Sequence, residues 1–196
     1  MLFRSGLSSR FGSPKALATI ADTPAIAFLL KKLCASQVAE IIIVLGAESA
    51  LIELSIFKHK IIRVAHNNDY KLGRTSSVQT GLRAASATAR GFMLLPVDCP
   101  FVSMRTIDRL IERFMNAQPM LLIPTHQGRK GHPPIFRSDV KNDILKLKSS
   151  QGLNEITNNP VYMAETLELP DFGITQTFNT PDELARILRS KDFNLT

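Results

Sequence analysis

Apolar and polar positions along this chain alternate between two rhythms. Runs of consecutive aliphatic residues, as expected of strands covered on both faces, are separated by stretches with an apolar position every three or four residues, as expected of helices. The first run is short, Met1-Leu2-Phe3. Ile20-Ala21-Asp22-Thr23-Pro24 then turns the chain, with Thr23 expected as an N-cap and Pro24 at the first helical position. Ile26, Leu29, Leu30 and Leu33 predict an amphipathic helix to about Ala35. Residues 40–45, with Ile41-Ile42-Ile43-Val44, predict a buried strand, followed by a weak helix over 49–57 and a second strand at Ile61-Ile62-Arg63-Val64. From Arg74 the helical spacing returns through Val78, Leu82 and Ala85, with Thr75, Ser76 and Ser77 in the first turn.

Residues 92–97 form another buried run, which delivers Asp98 at its carboxyl end. Ser103 is placed to cap the next helix, whose Ile107, Leu110, Ile111 and Phe114 keep the period. Residues 120–124 read as a strand, and the basic segment Gly128-Arg129-Lys130-Gly131-His132-Pro133-Pro134 leads into Ile135-Phe136. Val140, Ile144 and Leu147 predict a helix and 153–156 a short one. Strands are expected over 163–169 and 175–178, then a last helix over 181–188 capped by Thr180.

Strands alternating with helices predict an α/β layered fold with a mainly parallel sheet. Such sheets bind ligands beyond the carboxyl ends of their strands, where residues 6–15, Gly46, residues 67–69 and Asp98 all fall. No internal repeat, low-complexity tract or linker interrupts the order, so 1–196 is expected to be a single domain.

The first of those loops carries the densest chemistry. Gly6-Leu7-Ser8-Ser9-Arg10-Phe11-Gly12-Ser13-Pro14-Lys15-Ala16-Leu17 combines glycines, hydroxyls, an Arg and a Lys. Glycines let backbone N–H groups close on an anion, and the cations supply charge, so the loop suits a polyphosphate. It is not a Walker loop, which would place Lys directly after Gly12; a plain basic surface turn is the alternative. Asp98, between a buried strand and Cys99-Pro100, is suited to hold Mg²⁺, or else to serve as a turn residue. Lys15 and Arg10 would neutralise charge on a transferring phosphoryl group, or lie in solvent. Ser76 and Ser77 either donate to a nucleotide or cap their helix, and His132 either meets an anionic second substrate or is a structural or idle loop histidine. His59, His66 and His126 lack metal-site spacing, and no G-x-S-x-G elbow is present, which argues against a zinc site and a covalent hydrolase.

Composition narrows the classes without changing that reading. Hydrophobic residues make up 44% of the 196 and charged ones 21%, which excludes wholesale disorder. No run is long enough to span a membrane, no signal peptide is evident, and Cys34 and Cys99 are too few for a disulfide framework. A reducing cytoplasm is therefore expected. The net charge of +7 invites a nucleic-acid partner, but the cations are scattered and aromatics reach only 7% with no Trp. The excess is read as solvated surface plus an anionic small-molecule site, with no nucleic acid and no membrane as partner. An RNA-binding module is the reading set aside.

With these residues assembled, the chain resembles the molybdenum cofactor nucleotidyltransferases, and their cytidylyltransferase branch more than the guanylyltransferase one. The 6–17 loop is close to the family's G-x-S-x-R-M/F-G-x-x-K-x-L signature, and 67–82 is similar to its segment with an asparagine, a glycine and a serine pair before G-L. Leu95-Pro96-Val97-Asp98-Cys99-Pro100 matches L-P-x-D-x-P, residues 128–136 match G-x-x-G-H-P-x-x-F, and Asn179-Thr180-Pro181-Asp182-Glu183-Leu184 is similar to D-T-P-E-D-L.

The resemblance implies a single-domain, Rossmann-like three-layer α/β/α nucleotidyltransferase with a mixed, mainly parallel sheet. It implies Mg²⁺-dependent transfer from an NTP, CTP favoured, to the phosphate of molybdopterin, with pyrophosphate released and a molybdoenzyme or its maturation factor as a contact. Carried over by position, Gly6, Leu7, Ser8, Ser9 and Gly12 would hold the triphosphate, with Arg10 beside them, and Lys15 would stabilise the α-phosphate. Asn67 and Ser77 would touch base or ribose, His132 would lie on the acceptor side, and Asp98 with Asn179 would ligate the metal. The chain departs from the family in three ways. Its first strand is expected to be truncated, with Arg4 where small residues pack; Arg4-Ser5 removes a feature that separates cytidine from guanine users; and Thr177 and Asn179 replace acids, which lowers the charge offered to a metal. A sugar or polyol phosphate as acceptor, or a non-catalytic nucleotide or cofactor binder, remain the alternative readings.

Overall fold

The computed structural model describes residues 2–4 and 11–190. Its strands are β1 (Leu2–Arg4), β2 (Thr19–Ile20), β3 (Thr23–Pro24), β4 (Ile41–Leu45), β5 (Ile62–His66), β6 (Gly91–Pro96), β7 (Leu121–His126), β8 (Arg129–Lys130), β9 (Ile135–Arg137) and β10 (Glu165–Glu168). The helices are α1 (Ala25–Cys34), α2 (Ser49–Glu53), α3 (Arg74–Ala84), α4 (Met104–Ala117), α5 (Lys141–Lys146), α6 (Asn154–Thr157) and α7 (Pro181–Arg189).

The main sheet runs β10-β7-β9-β6-β1-β4-β5, with β8 hydrogen-bonded to β7. β1 lies between β4 and β6 and is parallel to both, Leu2 pairing with Ile42 on one side and Leu94 on the other. β9 runs antiparallel between β6 and β7, which makes the sheet mixed. Consecutive residues of each buried strand feed opposite faces. Ile41, Ile43 and Leu45 of β4 and Met93 and Leu95 of β6 pack with α1 and α4 through Leu29, Leu30, Leu33, Ile107 and Leu110. Ile42, Val44, Phe92 and Leu94 instead meet Leu82, Val140, Ile144 and Ile156. That two-sided burial is why these strands read as unbroken apolar runs, and it yields the expected three-layer α/β/α arrangement.

Two local expectations are corrected. Thr23 is not a helix cap: Thr23–Pro24 pairs with Thr19–Ile20 in a small antiparallel ribbon. Ala21 and Asp22 take positive φ (47° and 57°) at its tip, the pattern of a tight hairpin turn. α1 therefore starts after Pro24 without a side-chain cap. Residues 175–178 form no strand. A 3-10 turn, Phe172–Thr175, precedes an irregular segment whose Ile174 and Phe178 are buried in different clusters. Ser103 and Thr180, in contrast, do cap α4 and α7, accepting from the N–H groups of Thr106 and Glu183. Among the described residues no helix is long and apolar enough to cross a membrane.

Candidate active site

Beyond the carboxyl ends of β4 and β6 lies a cavity of about 730 Å³. Its wall is assembled from Lys15, the start of α3, residues 94–99, His132, residues 152–154 and Thr177 with Asn179. Asp98 is the sole carboxylate among the described residues that line it, whereas Lys15, Lys71 and Arg74 bring positive charge. An anionic ligand is what such a wall favours.

Three of the expected site residues meet directly. The Lys15 Nζ donates to Asp98 Oδ2 at 3.0 Å and to Asn179 Oδ1 at 2.9 Å, and it lies 5.8 Å from the centroid of the Phe178 ring. The Lys15 and Asp98 side chains are 14% and 20% exposed, so the pair is screened far less than a surface ion pair. One ammonium thus reaches both oxygens, which face a common point on the cavity wall. A carboxylate and a neutral carbonyl oxygen fit a hard divalent ion that completes its shell with phosphate oxygens and water. Among the described residues no cluster of three or more His, Cys, Asp or Glu side chains is formed.

A bracket behind the cavity holds this geometry. The Asp98 carbonyl accepts from the Phe178 N–H at 3.2 Å, tying the two oxygen-bearing segments together. Asp171 accepts from the Ser103 N–H through Oδ2 and from the Gly173 N–H through Oδ1. Gly173 passes so near Phe101 that a Cβ would collide with its carbonyl oxygen. Glu183 accepts the Asn179 N–H at 2.6 Å, and its carboxyl is held below the usual range first by that bond. On the opposite side Lys32 donates to the carbonyls of Pro100 and Val102 at 3.0 and 2.8 Å and lies over the Phe28 ring. Burial lowers its pKa to about 8, against the opposing pull of Asp171.

The Lys32 shift has a sign that can be measured. Between about 8 and 10.5 the unfolded chain holds a proton that folded Lys32 has released. The contribution of Lys32 to stability therefore rises with pH across that window, and the cost of burying its charge is fully present below it. Urea midpoints of the protein and of Lys32→Met, taken from pH 7 to 10.5, are expected to differ by a term that moves in favour of the protein as pH rises. Parallel curves would contradict the assignment.

His132 lines the cavity with its Nδ1 buried and without a hydrogen-bond partner among the described residues. Burial lowers its pKa, chiefly by desolvation and against the charge of Asp98, so a neutral imidazole faces the ligand. Its own backbone N–H is bound to the Ile174 carbonyl. Ser77 also lines the wall, but Asn67 does not. Asn67 is buried and donates through Nδ2 to both Ser76 Oγ and Ser77 Oγ at 2.9 Å, while its Oδ1 accepts from the Asp69 N–H. It braces the start of α3 from behind. Ser76 donates to backbone carbonyls, and α3 begins after Gly73 without a side-chain cap, so its first-turn N–H groups and partial positive charge lie at the cavity wall.

Gly6, Leu7, Ser8, Ser9 and Arg10 lie outside the described residues. Gly12 is described, at φ 78° with open space where a Cβ would stand, and Phe11 packs on Phe178 at 5.5 Å between ring centroids. Sequence reasoning did not assign Lys71, Arg74, Lys32 or Asp171 to the site. A basic residue directly before the hydroxyl run at 75–77 was the available signal for Arg74. Lys32 and Asp171 act on backbone groups, which leave no mark in sequence.

The family model for the MobA-like NTP transferase domain matches residues 4–165. No curated protein sequence matches the chain significantly. Among solved structures, Rv0371c from Mycobacterium tuberculosis H37Rv superposes with a TM-score of 0.83 at 21% identity, covering 96% of each chain. A second structure of that protein is a complex with manganese. A nucleotidyl transferase from Methanothermobacter, Mth528, gives 0.77 at 20% identity over 95% of this chain and 93% of its own. Molybdopterin-guanine dinucleotide biosynthesis protein A from Archaeoglobus fulgidus gives 0.67 at 16% identity over 94% of both. At these identities the superpositions speak for the fold.

Proposed function

Because the chain belongs to the MobA-like NTP transferase family, we propose that its cavity is a nucleotidyltransferase active site that joins a nucleoside monophosphate from CTP to the phosphate of molybdopterin. The observation that carries the reading is the Lys15–Asp98–Asn179 cluster on the wall of a cationic cavity. A phosphate oxygen of the acceptor attacks the α-phosphorus of the nucleotide, the bond from that phosphorus to the bridging oxygen breaks, and pyrophosphate leaves. No protein nucleophile is needed; catalysis is positioning plus neutralisation of charge on the α-phosphoryl oxygens. Asp98 and Asn179 are the residues that would hold a divalent ion, Mg²⁺ in this reading. Such an ion, when bound, draws charge from the triphosphate and favours departure of pyrophosphate.

Lys15 supplies an ammonium at the α-phosphate; by the resemblance, Gly6, Leu7, Ser8, Ser9 and Gly12 would hold the triphosphate and Arg10 would help neutralise the transferring phosphoryl group. Lys71, Arg74 and the start of α3 add positive charge that attracts the substrate anions. His132, neutral and with a buried ring nitrogen unspent, accepts a hydrogen bond from the acceptor's polar edge. Ser77 offers a hydroxyl to the nucleotide, with Asn67 holding it in place.

The assay follows pyrophosphate during incubation with each NTP, Mg²⁺ and molybdopterin, or a panel of sugar and polyol phosphates. Release is expected with CTP and molybdopterin above all other pairs. Release only with a sugar or polyol phosphate would reassign the acceptor, and none with any pair would overturn the reading.

A further inference from the structure

Lys15 occupies both oxygens assigned above to a divalent ion. Its Nζ lies 3.0 Å from Asp98 Oδ2 and 2.9 Å from Asn179 Oδ1, beside the Phe178 ring and with only 14% of the side chain exposed. An ammonium and a dication drawn to the same pair of oxygens, Asp98 Oδ2 and Asn179 Oδ1, compete for them, because the repulsion between the two cations is poorly screened in a site this enclosed. Charge decides the contest. Asp98 is the sole carboxylate among the described cavity-lining residues and Lys15 already balances it, so a dication arriving alone meets no surplus negative charge. The neutral amide at Asn179 adds none.

We propose that Lys15 sets the order of binding: ammonium and metal ion hold Asp98 and Asn179 in alternation, and the ion gains them only when a triphosphate offers Lys15 another anion. The proposal rests on the nucleotidyltransferase reading for the identity of that anion, and on the geometry of Lys15 alone for the exchange. A lysine suits the task because its ammonium is a point charge on a flexible four-carbon stem, able to move from a carboxylate to a phosphate oxygen without matching a fixed fork. Metal and nucleotide then enter as one complex. The two steps are coupled by electrostatics. This reverses the usual expectation for a residue beside a metal site, since removing Lys15 should improve metal binding while it impairs chemistry.

The test measures Mn²⁺ binding by electron paramagnetic resonance on the full chain without nucleotide. Lys15→Met and Lys15→Gln are expected to bind Mn²⁺ at least about tenfold more tightly than the unaltered protein, and Lys15→Arg, which keeps the charge, to bind as weakly as it does. Thermal unfolding checks that each variant is folded, and Lys15→Gln, which retains an N–H donor for the two oxygens, serves if the methionine variant does not fold. Neutral variants that bind no better than the unaltered protein, or an arginine variant that gains as much as the methionine one, would overturn the proposal. A non-hydrolysable CTP analogue is then expected to tighten Mn²⁺ binding by the unaltered protein at least about tenfold. If the analogue binds and Mn²⁺ affinity does not change, the coupling is refuted. If no nucleotide binds at all, the functional reading fails, while the nucleotide-free Mn²⁺ series still decides the exchange at Lys15.

Discussion

Asp98→Ala is expected to lower kcat/KM for nucleotidyl transfer by about a thousandfold and to leave the protein folded. The size follows from the lack of any substitute: no other carboxylate is found among the described residues lining the cavity. Folding should survive because the interactions that shape the turn are made by backbone. The Asp98 carbonyl accepts from Phe178 and the Cys99 N–H is bound to the Pro96 carbonyl, and neither bond uses the side chain. Pyrophosphate release against metal concentration, with a circular dichroism spectrum of the variant, checks both halves. Retained turnover would remove Asp98 from the chemistry.

Lys15→Met is the second large effect, an expected fall in kcat of about a hundredfold or more with nucleotide still able to bind. Its ammonium is the cation already joined to Asp98, and its stem is anchored where the 3-10 turn Lys15–Leu17 begins. Loss of transition-state charge stabilisation lowers kcat, whereas the cations elsewhere on the wall continue to attract the substrate anions. A variant that raises KM alone would mark Lys15 as a ground-state binder.

How much of this was legible in sequence depends on the range of the interaction. Buried strands such as Ile41–Leu45 and Gly91–Pro96 declare themselves because both faces need apolar side chains. The caps Ser103 and Thr180 are local too, each accepting an N–H three residues on. Thr23 and Pro24 imitate a cap and a first helical residue, yet the turn at Ala21-Asp22 folds them into a ribbon instead. The alternation at 175–178 reads as a strand, but among the described residues it joins no sheet; Phe178 is fixed by the Asp98 carbonyl and by rings from distant segments.

The site shows the same division. Lys15, Asp98 and Asn179 stand out as residue types in recognisable motifs, but their meeting spans 83 and 164 positions and follows only from the sheet order. Asn67 sits in its motif, and only the structure places its amide behind Ser76 and Ser77 rather than on the wall. The Lys32–Asp171 bracket is invisible for a plainer reason. Its partners are the carbonyls of Pro100 and Val102 and the N–H groups of Ser103 and Gly173, which every residue except proline, lacking the N–H, possesses in common.

The central claim is that Lys15 and Asp98 serve one pocket for a metal-bound triphosphate. The most direct measurement is calorimetric titration of a non-hydrolysable CTP analogue into the protein and into Asp98→Ala, each with Mg²⁺ and with chelator. The account predicts that Mg²⁺ strengthens binding to the unaltered protein and that this gain vanishes in Asp98→Ala. Binding of equal strength in all four titrations, or none in any, would contradict it.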